Sequence, residues 1–214
     1  MRTHRPRRPF PTTASPGQAP LTRPSATKYK REGLQTRDCV AVPFSTVRTT
    51  EPGDGPLARL RDLGLELPAP PAAVASYVPA AVVPVGEGRV LVSVSGQVLL
   101  RDGAPVLQGC VPSQVSVEAA IDNARSCALN VLAQLERAVG LDNVDQVLQL
   151  SVFVRSDDGF EAQPQVANGA SDLLVAVLGE RGRHARAAVG VNALPLGVPV
   201  EVAALALARR PTPA

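Results

Sequence analysis

The stretch from Ser116 to Val139 constrains the fold more than any other part of the chain. Its apolar residues fall at 117, 120, 121, 124, 128, 131, 132, 135 and 139, a spacing of three and four that a 3.6-residue helix gathers onto one face. Ser116 stands where its hydroxyl can accept from a free first-turn amide, and Gly140 stands where a positive φ closes the last turn. A long helix with one apolar stripe has to lie on another layer of structure, and the flanking segments supply a sheet. AAVVPV and RVLVSVSGQVLL are rich in β-branched residues and are separated by Gly86-Glu87-Gly88. They read as two antiparallel strands, the second ending near Arg101 to Gly103. Leu148, Leu150, Val152 and Val154 alternate with Gln149, Ser151, Phe153 and Arg155, the period of a strand buried on one face.

A second helix is expected over Pro164 to Leu178. Pro164 fits in the first turn and Gly179 at the end, while Gly169 in the interior costs roughly 1 kcal/mol relative to Ala. A shorter helix is expected over Leu57 to Leu67, where Leu57, Leu60, Leu63 and Leu67 share a face. RAAVGVNA and PVEVAALALA read as two final strands, joined as a hairpin through Leu194 to Val198. The order β-β-α-β-α-β-β has too few helices to cover both sides of a sheet, so it implies an α+β domain with both helices on one face. The other face then needs a partner.

This domain is expected over residues 56 to 210. Residues 1 to 55 hold ten Lys/Arg and four Asp/Glu, about +6, whereas the rest of the chain holds twelve and fifteen, about −3. The basic segment is full of Pro, Thr and Ser, so it reads as a disordered tail, and its spaced prolines would interrupt the amphipathic helix of a transit peptide. The acidic body argues against a nucleic-acid surface. Cys39, Cys110 and Cys127 form no CxxC pair, and His4 and His184 have no ligand-spaced neighbours, so neither a disulfide framework nor a metal site is expected. No apolar run is long enough to span a membrane and no secretory signal is legible; a cytoplasmic protein is the expectation.

No dinucleotide, phosphate-loop, nucleophile-elbow or HExxH motif is present. The chemistry that remains is polar residues on strands: Ser93, Ser95 and Gln97, then Arg186, Asn192 and Glu201. Arg186 and Glu201 read most simply as an exposed pair across the terminal hairpin. A turn centred between 196 and 197, however, sets Ala193 opposite Val200 and Arg186 opposite Leu207. The two would share a face but lie six residues apart, about 20 Å. If both serve one ligand, one comes from a neighbouring subunit, or the strands do not form that hairpin.

VSVSGQV, NVLAQLERAVGLDNVDQVLQLSVFV and HARAAVGVNALPLGVPVEVAALAL resemble the signatures of the RidA/YjgF family, over about Leu57 to Arg209. A Tyr-Val-Pro start, an Asn-Gly-Ala-Ser-Asp helix and Gly-Arg-His-Ala-Arg are similar to a longer branch of it. The resemblance implies a chorismate-mutase-like fold: a mixed sheet with two helices on one face, three copies closing into a barrel, and clefts between subunits. It implies hydrolysis of 2-imino or enamino acids to 2-oxo acids and ammonia, without a cofactor. Arg186 would clamp the substrate carboxylate, Glu201 would position water and exchange protons, and Tyr77, Ser95, Gly96 and Asn168 would line the pocket. His184, Ala188 and Ala203 replace a proline, a cysteine and a second glutamate common in the family's deaminases. Two other functions stay open: a non-catalytic trimer that binds small carboxylates, and an endoribonuclease.

Overall fold

The computed structural model describes residues 55–70 and 76–210; the expected tail and its boundary fall largely outside them. The strand-forming segments build one five-stranded mixed sheet in the order β1-β2-β7-β5-β6. β1 (Ala80–Gly86) pairs antiparallel with β2 (Arg89–Gln97) across the expected glycine turn. β2 ends at Gln97, short of the expected Arg101 to Gly103, because Leu100–Arg101 (β3) turns back and pairs with Ala104–Pro105 (β4) in a hairpin of its own.

α2 (Val117–Val139) follows the sequence pattern closely. The Ser116 hydroxyl accepts from the Ala119 amide at 3.2 Å, and Gly140 ends the helix at φ 80°. Its apolar stripe lies over β7 and β2, and α3 (Gln163–Leu178), with Pro164 in its first turn, lies over β6 and β5. At Gly169 the two helices come close together: a Cβ there would sit 2.1 Å from the Ile121 carbonyl oxygen. The helix-propensity cost of that glycine is thus offset by a contact that no larger residue allows.

The core lies between this helical layer and one face of the sheet. Val90, Val92 and Val94 of β2, Leu150, Val152 and Val154 of β5 (Val144–Arg155), and Val200, Val202, Ala206 and Ala208 of β7 (Val200–Arg209) are all buried there. Leu148 departs from the expected alternation. The β5–β7 register shifts between Val147 and Gln149, so Val147 and Leu150 are both buried while Leu148 sits on the irregularity. The first helix is also shorter than expected. α1 runs only Pro56–Asp62, the Leu65 amide turns back to the Leu60 carbonyl at 2.9 Å, and of the expected leucine face only Leu60 is fully buried.

The terminal hairpin does not form. β6 (Ala185–Val191) pairs parallel with β5, and β7 pairs antiparallel with both β2 and β5, so β5 separates the two final strands. The reason is topological. β5, α3 and β6 form one strand-helix-strand crossover, which carries the chain back to the start of the sheet and makes β6 parallel to β5. β7 then takes the central position, where both its edges are hydrogen-bonded and its apolar face is covered by α2. Among the described residues, no helix is long and apolar enough to cross a membrane.

Candidate active site

The register places Arg186 and Glu201 on opposite faces of the sheet, not on one. Arg186 pairs with Leu150, which pairs with Ala204; Glu201 pairs with Phe153, which pairs with Val189. Leu150 and Ala204 are buried under the helices. Arg186 in their row therefore points to the helical side, and Glu201, three residues from Ala204, points to the open side. The backbones are separated by about 10 Å along the strands and about 10 Å across them.

Around Arg186 the residues come from α3. Its Nη1 donates to Asn168 Oδ1 and to Ser171 Oγ, both at 2.9 Å, and its Nη2 donates to the Pro164 carbonyl at 3.3 Å. Asn168 and Ser171 are one helical turn apart and so present their acceptors to the same place. The guanidinium is exposed, and among the described residues no carboxylate lies within 4 Å of it. A cation oriented by neutral acceptors keeps its charge for an anion brought from outside. Ser171 also bonds His184 Nε2 at 3.0 Å, and His184 Nδ1 reaches the Gly182 carbonyl at 2.6 Å. Sequence reasoning singled out Asn168 but not Ser171; the i, i+3 spacing was the available signal.

Around Glu201 the residues come from β2 and the segment before β1. The β2–β7 register shifts between Val94 and Gln97, so Ser95 and Gly96 bulge out of the ladder. Gln97 Nε2 donates to the Ser95 and Gly96 carbonyls at 2.9 and 3.3 Å, and Asn130 Nδ2 of α2 donates to the Val98 carbonyl at 2.9 Å, which holds the bulge. Glu201 lies over Gly96, where a Cβ would fall 1.7 Å from its Oε1. Only glycine leaves room for that carboxylate. Ser95 Oγ donates to the Val78 carbonyl at 2.8 Å, which ties the segment carrying Tyr77, 45% exposed, to the same bulge. Burial pushes the Glu201 carboxyl above its ordinary range. The neighbouring Cys127 thiol is pushed up to about 12, chiefly by burial, and so stays protonated and inert.

Of the six expected site residues, the fold thus gathers Ser95, Gly96 and Glu201, with Tyr77 close along the chain, into one group and Arg186 with Asn168 into another. One chain does not unite the two groups. Among the described residues, no three His, Cys, Asp or Glu side chains come together in a way that could hold a metal ion.

Comparison with known proteins gives the lineage. The family described as "YjgF/chorismate mutase-like, putative endoribonuclease" matches residues 57–206. Protein TCP17 of Trypanosoma cruzi is 45% identical over 150 residues, which cover 69% of this chain and 91% of that protein. A crystal structure of an Agrobacterium tumefaciens protein of unknown function is similar at 40% identity and a TM-score of 0.63, covering 72% of this chain and 92% of that one. A "putative endoribonuclease" from Shewanella oneidensis is similar at 31% identity and a TM-score of 0.64, covering 71% and 98%. With the mixed sheet, the two helices on one face and a match over residues 57–206, the chain belongs to the RidA/YjgF family.

Proposed function

We propose that this protein is a hydrolytic deaminase that converts 2-imino acids, or their enamine tautomers, to 2-oxo acids and ammonia. The observation that carries the reading is the Arg186 guanidinium: exposed, held in plane by Asn168, Ser171 and Pro164, and without a carboxylate partner among the described residues. A planar fork of donors meets both oxygens of a carboxylate, which a point charge such as lysine does not do.

With the carboxylate held, the imine carbon is already electrophilic. Water adds to that carbon while the imine nitrogen takes a proton; the resulting carbinolamine then loses ammonia and leaves the 2-oxo acid. Glu201, whose carboxyl burial holds above its ordinary range, is suited to exchanging those protons. The Ser95-Gly96 bulge sets where its carboxylate sits.

Arg186 and Glu201 lie on opposite faces of one sheet, so a single cleft using both requires a second copy of the chain. The open sheet face supports such an assembly: Leu91, Leu205, Leu207, Phe153 and Val189 lie on it, with Val189 44% exposed. A homotrimer, as the family resemblance implies, would cover that face and bring the Arg186 group of one subunit to the Glu201 group of its neighbour. The free thiols of Cys110 and Cys127 fit a reducing cytoplasm.

The test is ammonia release from a freshly generated 2-imino acid by wild type and Arg186→Ala. A rate reduced by about 100-fold supports the reading; equal rates overturn it. Saturable 2-oxo-acid binding that needs Arg186, without turnover of any imine, would instead identify a carboxylate-binding trimer. Cleavage of RNA would favour the endoribonuclease of the family's description, although His184, the one histidine among the described residues, has both ring nitrogens engaged.

A further inference from the structure

The segments Asn-Gly-Ala-Ser-Asp at 168–172 and Gly-Arg-His-Ala-Arg at 182–186 meet where Arg186 bonds Asn168 and Ser171, and where Ser171 Oγ and His184 Nε2 lie 3.0 Å apart. The directions of the bonds around that contact follow from the donors available. The Gly182 carbonyl only accepts, so His184 Nδ1 carries a hydrogen and donates to it at 2.6 Å. In the neutral ring Nε2 is then the acceptor, and the Ser171 hydroxyl hydrogen goes to it. The lone pairs of Ser171 Oγ remain for Arg186 Nη1, which donates at 2.9 Å. The result is one chain running from Arg186 through Ser171 and His184 to Gly182.

We propose that Ser171 and His184 are positioning residues for the Arg186 carboxylate clamp, with His184 setting the Ser171 rotamer and Ser171 setting the plane of the guanidinium. A serine inside a helix otherwise turns its hydroxyl back to the carbonyl four residues earlier, which for Ser171 is that of Ala167. The His184 acceptor draws it towards β6 instead. Asn168 and Ser171 then grip the same Nη1 from two sides, and Pro164 holds Nη2. A guanidinium free to rotate would still attract an anion, but it would lose the paired, parallel bonds that discriminate a carboxylate. His184 is thereby a recruited part of the binding site, although its ring touches no substrate.

This inference rests on Arg186 being the clamp, and the test separates the two. The full-length protein is titrated calorimetrically with 2-oxobutyrate and, as a neutral control, with its primary amide. Arg186→Ala, Ser171→Ala, His184→Ala, the Ser171→Ala/His184→Ala double variant and Ser171→Thr are compared with wild type.

The expected result is 2-oxobutyrate binding weakened about tenfold in each alanine variant of Ser171 and His184, as befits the loss of one bond to a charged group. The double variant should be no weaker than either single one by more than about twofold, because the two residues act in series. Amide binding should be unchanged, Ser171→Thr should bind as wild type does, and with a 2-imino acid KM should rise while kcat holds. If Ser171→Ala and His184→Ala bind 2-oxobutyrate like wild type while Arg186→Ala does not, the positioning role is overturned and the clamp stands. If Arg186→Ala itself binds normally, the clamp reading fails. Should His184→Ala not fold, His184→Gln, which keeps an acceptor for Ser171, serves in its place: wild-type binding supports the chain, and a tenfold loss counts against it.

Discussion

Gly96 and Glu201 fit together as socket and plug: the space a Cβ would take on Gly96 is filled by the Glu201 carboxylate, with Oε1 only 1.7 Å from that point. The obstructing atoms are the far end of a flexible side chain, so Gly96→Ala is expected to fold and to push the carboxylate aside. Ammonia release from a 2-imino acid should fall by about 100-fold, as for misplacement of a reacting group by about an ångström, while the thermal midpoint moves by only a few degrees. Parallel melting curves and turnover assays check this.

The half-buried Glu201 carboxyl makes a pH-dependent contribution whose sign is set by its raised pKa. Below its ordinary value of 4.5 both folded and unfolded chains hold the proton, and the group contributes nothing. As pH rises above 4.5 the unfolded chain ionises first, so the wild type loses stability until the folded group ionises as well. Glu201→Gln is therefore expected to melt higher than wild type at neutral pH and to match it well below 4.5. The same variant should lose about 100-fold or more in deaminase rate.

Arg186→Lys keeps the charge and removes the fork. Binding of 2-oxobutyrate, measured by calorimetry, is expected to weaken by about tenfold, against about 100-fold for Arg186→Ala. Lysine and arginine binding equally would mean that charge alone suffices at this position.

Gly169 meets the Ile121 backbone, which cannot swing away as a side chain does. Gly169→Ala improves helix propensity yet is expected to destabilise the domain by about 2 kcal/mol or more, by forcing α2 and α3 apart. Chemical denaturation measures the sign, and a more stable variant would contradict the close crossing.

Leu205 and Val189 lie on the open face of the sheet. In the proposed trimer, glutamate at either position is expected to shift sedimentation from a trimer to a monomer and to abolish turnover at the same time, because the proposed Arg186 and Glu201 roles would no longer share a cleft. A monomeric variant with full activity would place both groups in one chain after all.

The local elements were legible because their signals are short-range. The stripe on α2, the Ser116 cap, Gly140 and the glycine turn of the first hairpin all depend on residues within a few positions of one another, and each stands where the sequence puts it. Leu148 and the leucines of α1 were misread because an even spacing does not reveal a bulge or an early helix end.

The sequence by itself determined the principal strands and helices, and that one sheet face would lack helices. It did not determine which strands pair. RAAVGVNA followed by a turn-rich link and PVEVAALALA satisfies a hairpin as well as it satisfies two separated strands, because the pattern within a strand does not name its neighbour. Only the tertiary structure decided between them: the α3 crossover commits β6 to β5, and the paired edges and covered face of β7 place it at the centre of the sheet. That choice moves Arg186 to the opposite face from Glu201 and against Ser171 and His184, a set of contacts made by backbone hydrogen bonding between segments far apart in the chain.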